Sequence, residues 1–246
     1  MRYISWQVIF GFTLILLSTA LYGLHFLIFG NSHHIFLYLI GDIAFIPIEV
    51  LLVTIIIHQL LDSREKKNRL EKLNMIIGVF FTEIGTNLLT YFSDLDPNLE
   101  QIKKDLVVRD NWSNKEFDDV VNRLKIQTYT VDANKIDLNG LKDYLTQKRD
   151  FLLRMIENPN LMEHEMFTDI VQAVFHITEE LLTRKDCSSL QEKDCKHIEN
   201  DITRAYKLLV IQWIEYMKHL KGNYPFLFSL AMRTNPFDQT ASPFVK

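Results

Sequence analysis

Twenty-six consecutive residues, Ile4 to Phe29, carry no formal charge, and a second apolar run, Ile35 to Leu61, follows after only Gly30-Asn31-Ser32-His33-His34. At a rise of about 1.5 Å per residue, either run as a helix outspans a hydrocarbon core of about 30 Å. The two runs predict two membrane spans, about residues 4–29 and 35–61. A cleaved signal peptide has an apolar core of only about 7–15 residues, so the first run predicts an uncleaved anchor. A five-residue link suits a tight turn between antiparallel helices, which makes residues 1–62 a transmembrane helical hairpin.

The basic residues set the orientation. Arg2 precedes the first span, Arg64, Lys66, Lys67, Arg69 and Lys72 follow the second, and the link has no Lys or Arg. Basic residues beside spans are retained in the cytoplasm. The expected protein is therefore multi-pass in the inner (cell) membrane, with both termini cytoplasmic. Tyr3 and Trp6 anchor one interface, the lipid bilayer is the first partner, and residues 63–246 form a cytosolic domain.

The second span contains Asp42, Pro47 and Glu49. An ionisable group at mid-bilayer costs about 2.5–3.5 kcal/mol on insertion scales. Asp42 and Glu49 are seven residues apart, hence nearly on one helix face, and Ser18 and His25 on the first span have the same spacing. In an antiparallel hairpin one register sets His25 opposite Asp42 and Ser18, helped by Thr19, opposite Glu49, while Pro47 frees a backbone carbonyl between them. This intramembrane polar seam has two readings, a helix-pairing device or a proton or ion path. Two spans cannot enclose a pore without several copies, which favours pairing and predicts a homo-oligomer.

Charge bears on partners. The 246 residues hold 27 Lys and Arg against 31 Asp and Glu, a net charge of −4. No broad basic field exists to release counterions from nucleic acid, which is excluded as a partner. Two cysteines, Cys187 and Cys195, make no disulfide framework and are expected to be free thiols.

After residue 64 glycine and proline are sparse and no alternating strand pattern of useful length occurs. The fold class is all-α, a hairpin followed by a helical bundle. Leu70, Leu73, Ile77, Phe80, Phe81, Ile84, Leu88 and Phe92 recur near helical spacing and predict a buried face on a helix continuing out of the second span. Asp94 to Pro97 ends that helix. Further helices are expected over about 99–107, from the Ser113/Glu116 capping box to about Lys125, and from Asp137 through Leu138 to Glu157. Another runs from an Asn160/Glu163 cap to about Thr183, and the last from a Ser189/Glu192 cap to His219, with Ile198, Ile202, Ala205, Leu209, Trp213, Tyr216 and Leu220 as its core stripe. The aromatic tail, Tyr224 through Phe237, is expected to pack on the bundle or at lipid headgroups.

On the two helices between 160 and 220, Glu165, Asp169, Gln172, His176 and Glu179 or Glu180 share one stripe, and Asp194, His197, Asp201 and Arg204 share another. The spacings His176-x-x-Glu179 and Asp194-x-x-His197 each place an imidazole and a carboxylate one turn apart, as a metal site in a helix bundle requires. Glu83, between phenylalanines, is expected to be buried and to add a third-helix carboxylate. The competing explanation is a solvated face with salt bridges such as Asp201 with Arg204. No cofactor is predicted from the sequence; a divalent metal on Glu83, Glu165, His176, Glu179, Asp194, His197 and Asp201 is the alternative. Phosphate-binding glycine loops, a Gly-x-Ser-x-Gly elbow and His-Glu-x-x-His are missing from the sequence. Asn235-Pro236-Phe237 resembles a short ligand of adaptor domains, and is read as a turn.

Three stretches carry a family resemblance: Pro159-Asn160-Leu161-Met162-Glu163-His164-Glu165, Phe175-His176-Ile177-Thr178-Glu179-Glu180-Leu181, and Leu227 through Phe237. On these the chain resembles a group of uncharacterised prokaryotic two-span membrane proteins. The resemblance implies a bacterial or archaeal membrane setting and a helical domain, with no activity attached. The residues point first to a non-enzymatic membrane protein presenting a cytosolic interaction or signal-coupling domain to a protein partner. An oligomeric proton or ion conduit using Asp42 and Glu49 is the second reading, and a metal-dependent helical-bundle enzyme the third.

Overall fold

Helix formation begins where the apolar residues do. The computed structural model describes residues 6–132, 135–159, 161, 164–187, 190–238 and 240–244. Helix α1 covers Trp6–Phe29 and α2 covers Ser32–Phe80. Gly30 turns the chain at φ 63°, a conformation that a Cβ disfavours, and its N–H bonds to the Phe26 carbonyl at 2.9 Å as a helix C-cap. The link is thus tighter than five residues, because Ser32 to His34 already belong to α2.

The chain divides into two units, residues 1–66 and 67–246. In the first, Val8–Phe29 and the stretch that starts at Ile35 are long and apolar enough to cross a membrane, and nothing in the most apolar window of either is buried. The hydroxyls of Thr13, Thr19 and Thr54 donate to the carbonyls of Ile9, Ile15 and Val50 on their own helices. They therefore offer no unsatisfied donor to their surroundings. Helix α2 runs unbroken past residue 66, as the absence of Gly and Pro from Leu61 to Met75 predicts.

The second unit has its own core. A π-helical turn, Phe81–Gly85, leads into α3 (Thr86–Ser93), followed by α4 (Leu99–Leu106), α5 (Asn114–Ile126), α6 (Leu138–Ile156), α7 (Glu165–Thr183), α8 (Glu192–Asn223) and α9 (Pro225–Arg233). No strand occurs among the described residues, and the fold is all-α. The central element is α8, which packs against α3, α5, α7 and α9, while α6 packs on α7. Its buried stripe contains the expected Ile198, Ile202, Ala205, Leu209, Trp213 and Leu220, while Tyr216, expected with them, is half-buried.

Helix ends follow from side-chain chemistry. Ser113 and Glu116 make both bonds of the capping box, and the Asp137 carboxylate accepts from the Gly140 N–H. Asn160 and Glu163, expected to cap α7, lie outside the described residues, as does Ser189, expected to cap α8. The cap of α7 is His164, whose Nδ1 accepts from the Phe167 N–H at 3.2 Å. Gln191 occupies the cap position of α8 and makes no side-chain cap bond.

Two burial expectations need correction. Leu70 is 47% exposed, so the buried face begins at Leu73. Glu83 is exposed, because the buried arc runs through Phe80, Phe81, Ile84 and Leu88 and turns residue 83 outward. In the tail, Phe228 and Phe237 enter the core while Phe226 is 91% exposed.

Candidate functional site

The four seam residues of the first unit divide between α1 and α2. Ser18 on α1 and Asp42 and Glu49 on α2 are exposed, and His25 is half-buried with its ring edge against Phe29, centroids 4.7 Å apart. Thr19, expected beside Glu49, gives its hydroxyl proton to its own helix at Ile15.

In the second unit, α7 and α8 are joined by the short segment after Thr183 and run antiparallel. Residues that rise in number along α7 meet residues that fall along α8: His176 meets Asp201, Glu180 meets His197, and Arg184 meets Asp194. This register brings three of the seven expected metal-site residues together. The Nε2 atoms of His176 and His197 lie 3.2 and 3.4 Å from one Asp201 oxygen, Oδ2. One ligand atom from each of the three residues falls within 4.8 Å of the other two. The two rings stand nearly perpendicular, 84° between planes. Glu180 borders the group, its Oε2 3.9 Å from His197 Nε2.

The other four expected residues are held elsewhere. Glu83 pairs with Lys148 on α6 at 2.9 Å, and Glu179 with Arg149 on α6 at 2.8 Å. Asp194 is taken by Arg184 at 2.8 Å, and exposed Glu165 opens α7, about three turns from His176. The i, i+3 pairs read from the sequence are therefore not the ones that meet. The pairs that meet are His176 with Asp201 and His197 with Glu180 across the two helices, and the i, i+4 pair His197 with Asp201 on α8.

Arg184 is the organising cation that sequence reasoning missed. It bonds the Glu180 carboxylate at 2.7 Å, the Glu180 carbonyl, and both oxygens of Asp194. Hydrogen bonds to Asp194 and then Glu180 raise its own pKa, and the same bonds hold both carboxyls below the usual carboxylate range. Nothing in its spacing marked it, since it lies just beyond the last turn of α7. On the other side of the cluster, Arg204 Nη2 stands 3.5 Å from Asp201 Oδ1.

Residues 69–233 match the family described as "Uncharacterized protein MJ1433, C-terminal helical domain", and residues 2–61 match the one described as "MJ1433, N-terminal helical domain". The chain is similar to the "Uncharacterized protein MJ1433" of Methanocaldococcus jannaschii, with 47% identity over 233 residues, 95% of this chain and 94% of the relative. No solved structure matches the chain.

Proposed function

The chain belongs to the MJ1433 family, and from that premise we propose that it is an integral membrane protein whose N-terminal hairpin holds a helical domain at the cytoplasmic face of the cell membrane. The domain serves as an interaction or signal-coupling module in a self-associating, non-enzymatic assembly. One observation carries the reading, a contrast in burial. The most apolar windows of the first unit are wholly unburied, while the second unit seals Phe80, Phe92, Phe117, Phe167 and Tyr206 in its interior. An apolar surface of the first kind is unstable in water and stable in lipid.

Two further features support an interaction role. Helix α2 contributes residues to both units, a covalent route for coupling. The second unit also keeps an apolar groove of about 570 Å³ lined by Met75, Val79, Tyr216, Leu220, Tyr224 and Leu227. A protein partner or a second copy of the domain is its expected occupant.

Sidedness tests the reading. With Cys187 and Cys195 replaced by alanine, a single thiol at Asn31→Cys and another at Lys185→Cys are labelled in intact and opened cells. The Asn31 thiol reacts from outside and the Lys185 thiol only after opening; reaction of both from the same side contradicts the hairpin.

A conduit is the second reading, favoured by Asp42 and Glu49 lying exposed seven residues apart on α2. Proton or cation flux into liposomes that is lost in Glu49→Gln protein supports it; undetectable flux in the parent protein removes it.

A further inference from the structure

We propose that His176, His197 and Asp201 form a binding site for a divalent transition ion of the zinc class, clasping α7 to α8. The argument begins with helix geometry. Side chains four residues apart stack on one helix face, so α7 presents an imidazole and a carboxylate from His176 and Glu180, and α8 presents the same pair from His197 and Asp201. The antiparallel register then sets each imidazole across from the other helix's acid.

The distances fit an ion. Both Nε2 atoms converge on a single carboxylate oxygen, at 3.2 and 3.4 Å. A tetrahedral ion with bonds of about 2.0–2.1 Å separates neighbouring ligand atoms by about 3.3 Å. Asp201 Oδ2 is buried and makes no hydrogen bond among the described residues even though the two Nε2 atoms stand beside it, and a cation shared by the three atoms would satisfy the oxygen. The imidazole rings are about half exposed while the Asp201 side chain is 14% exposed, so an ion can enter from solvent and rest on a fixed oxygen.

Donor chemistry selects the ion. Two imidazoles and one carboxylate suit zinc and its first-row neighbours, whereas calcium and magnesium take oxygen ligands. The surrounding arginines have the positions of outer-shell partners: Arg204 beside Asp201 Oδ1 and Arg184 on Glu180. Three protein ligands leave a fourth position to water or to Glu180. This site is independent of the membrane reading, and either can fail without the other.

The test uses the full-length untagged chain in detergent, stripped with a chelator and titrated with Zn²⁺ against a chromophoric competitor, then with Co²⁺ for its ligand-field absorption. One ion per chain is expected, with affinity reduced about tenfold or more in His176→Gln, His197→Gln and Asp201→Asn. Glu179→Gln keeps the parent affinity, because that carboxylate belongs to Arg149 on α6. The two exposed histidines can be changed without disturbing the core, and circular dichroism checks each variant. Stoichiometry far below one per chain, or unchanged affinity in the His176→Gln/His197→Gln double variant, would overturn the proposal and leave the cluster as imidazolium–carboxylate ion pairs.

Discussion

Asn235 donates from Nδ2 to the Leu106 carbonyl at 3.0 Å, and its Oδ1 accepts from the Phe237 N–H at 2.9 Å. One side chain thus fastens the tail to the end of α4 across 129 positions of sequence. Asn235 and Phe237 are 3% and 2% exposed, so the Asn-Pro-Phe triplet is a buried anchor and not a free peptide ligand. Asn235→Ala leaves a buried carbonyl and a buried N–H unpaired, a loss of about 1–3 kcal/mol. Denaturant unfolding of the full chain in detergent should show a lower midpoint with an unchanged slope.

Gly85 and Gly222 should respond to alanine in opposite ways. A Cβ on Gly85 would stand 2.6 Å from Phe81 Cδ1 and 3.0 Å from Phe80 Cε1. Neither ring can yield easily, since Phe81 stacks on Tyr216 and meets Trp213, and Phe80 meets Phe167. Gly85→Ala is expected to cost about 1–3 kcal/mol. Gly222, near the end of α8, has nothing within 4 Å of the same position. There alanine should add about 0.5–1 kcal/mol through helix propensity, and the two thermal midpoints should move apart.

Glu83→Gln should be nearly silent. Glu83 is exposed and its partner Lys148 is itself partly open to solvent, and ion pairs that water reaches contribute about 0–1 kcal/mol. A loss of several kcal/mol on unfolding would instead indicate the buried carboxylate that the flanking phenylalanines suggested.

Asp96 gives stability a measurable pH dependence. It is 6% exposed, and burial raises its pKa, opposed by the Asn98 N–H and the Tyr206 hydroxyl. A carboxyl with a raised folded-state pKa favours folding fully below its unfolded value of about 3.9, and that contribution disappears as pH rises through the folded value. Asp96→Asn keeps an acceptor for the Asn98 N–H and carries no charge at any pH. Relative to the parent, the variant should therefore gain stability as pH rises above about 4, read as a growing difference in thermal midpoint. A constant or shrinking difference contradicts the assignment.

Much of the fold was legible because it rests on local chemistry. Ser113 and Glu116 announce α5, Asp137 announces α6, and the stripe from Ile198 to Leu220 announces the face of α8. His164 was not legible as a cap, since histidine is not among the usual capping residues. The outward turn of Glu83 depends on which arc of the helix meets α8 and α6, which spacing alone leaves open. At the candidate site the residue types were legible and the pairing was not. Residues at i+3 and i+4 both lie near one helix face, and only the register of α7 against α8 selects Glu180 over Glu179 and Asp201 over Asp194. The competing cations Arg149 and Arg184 come from α6 and from beyond the end of α7, so their claims on Glu179 and Asp194 appear only in three dimensions.

The most direct measurement of the central claim is partition at alkaline pH. Membranes from cells producing the full chain are washed in sodium carbonate, then in detergent, and each fraction is assayed for the protein. A chain whose residues 6–29 and 35–61 are solvated by lipid stays in the pellet through carbonate and leaves it only with detergent. Release of the intact chain by carbonate alone would mean that those helices are covered by protein, and the membrane-anchored account would fall.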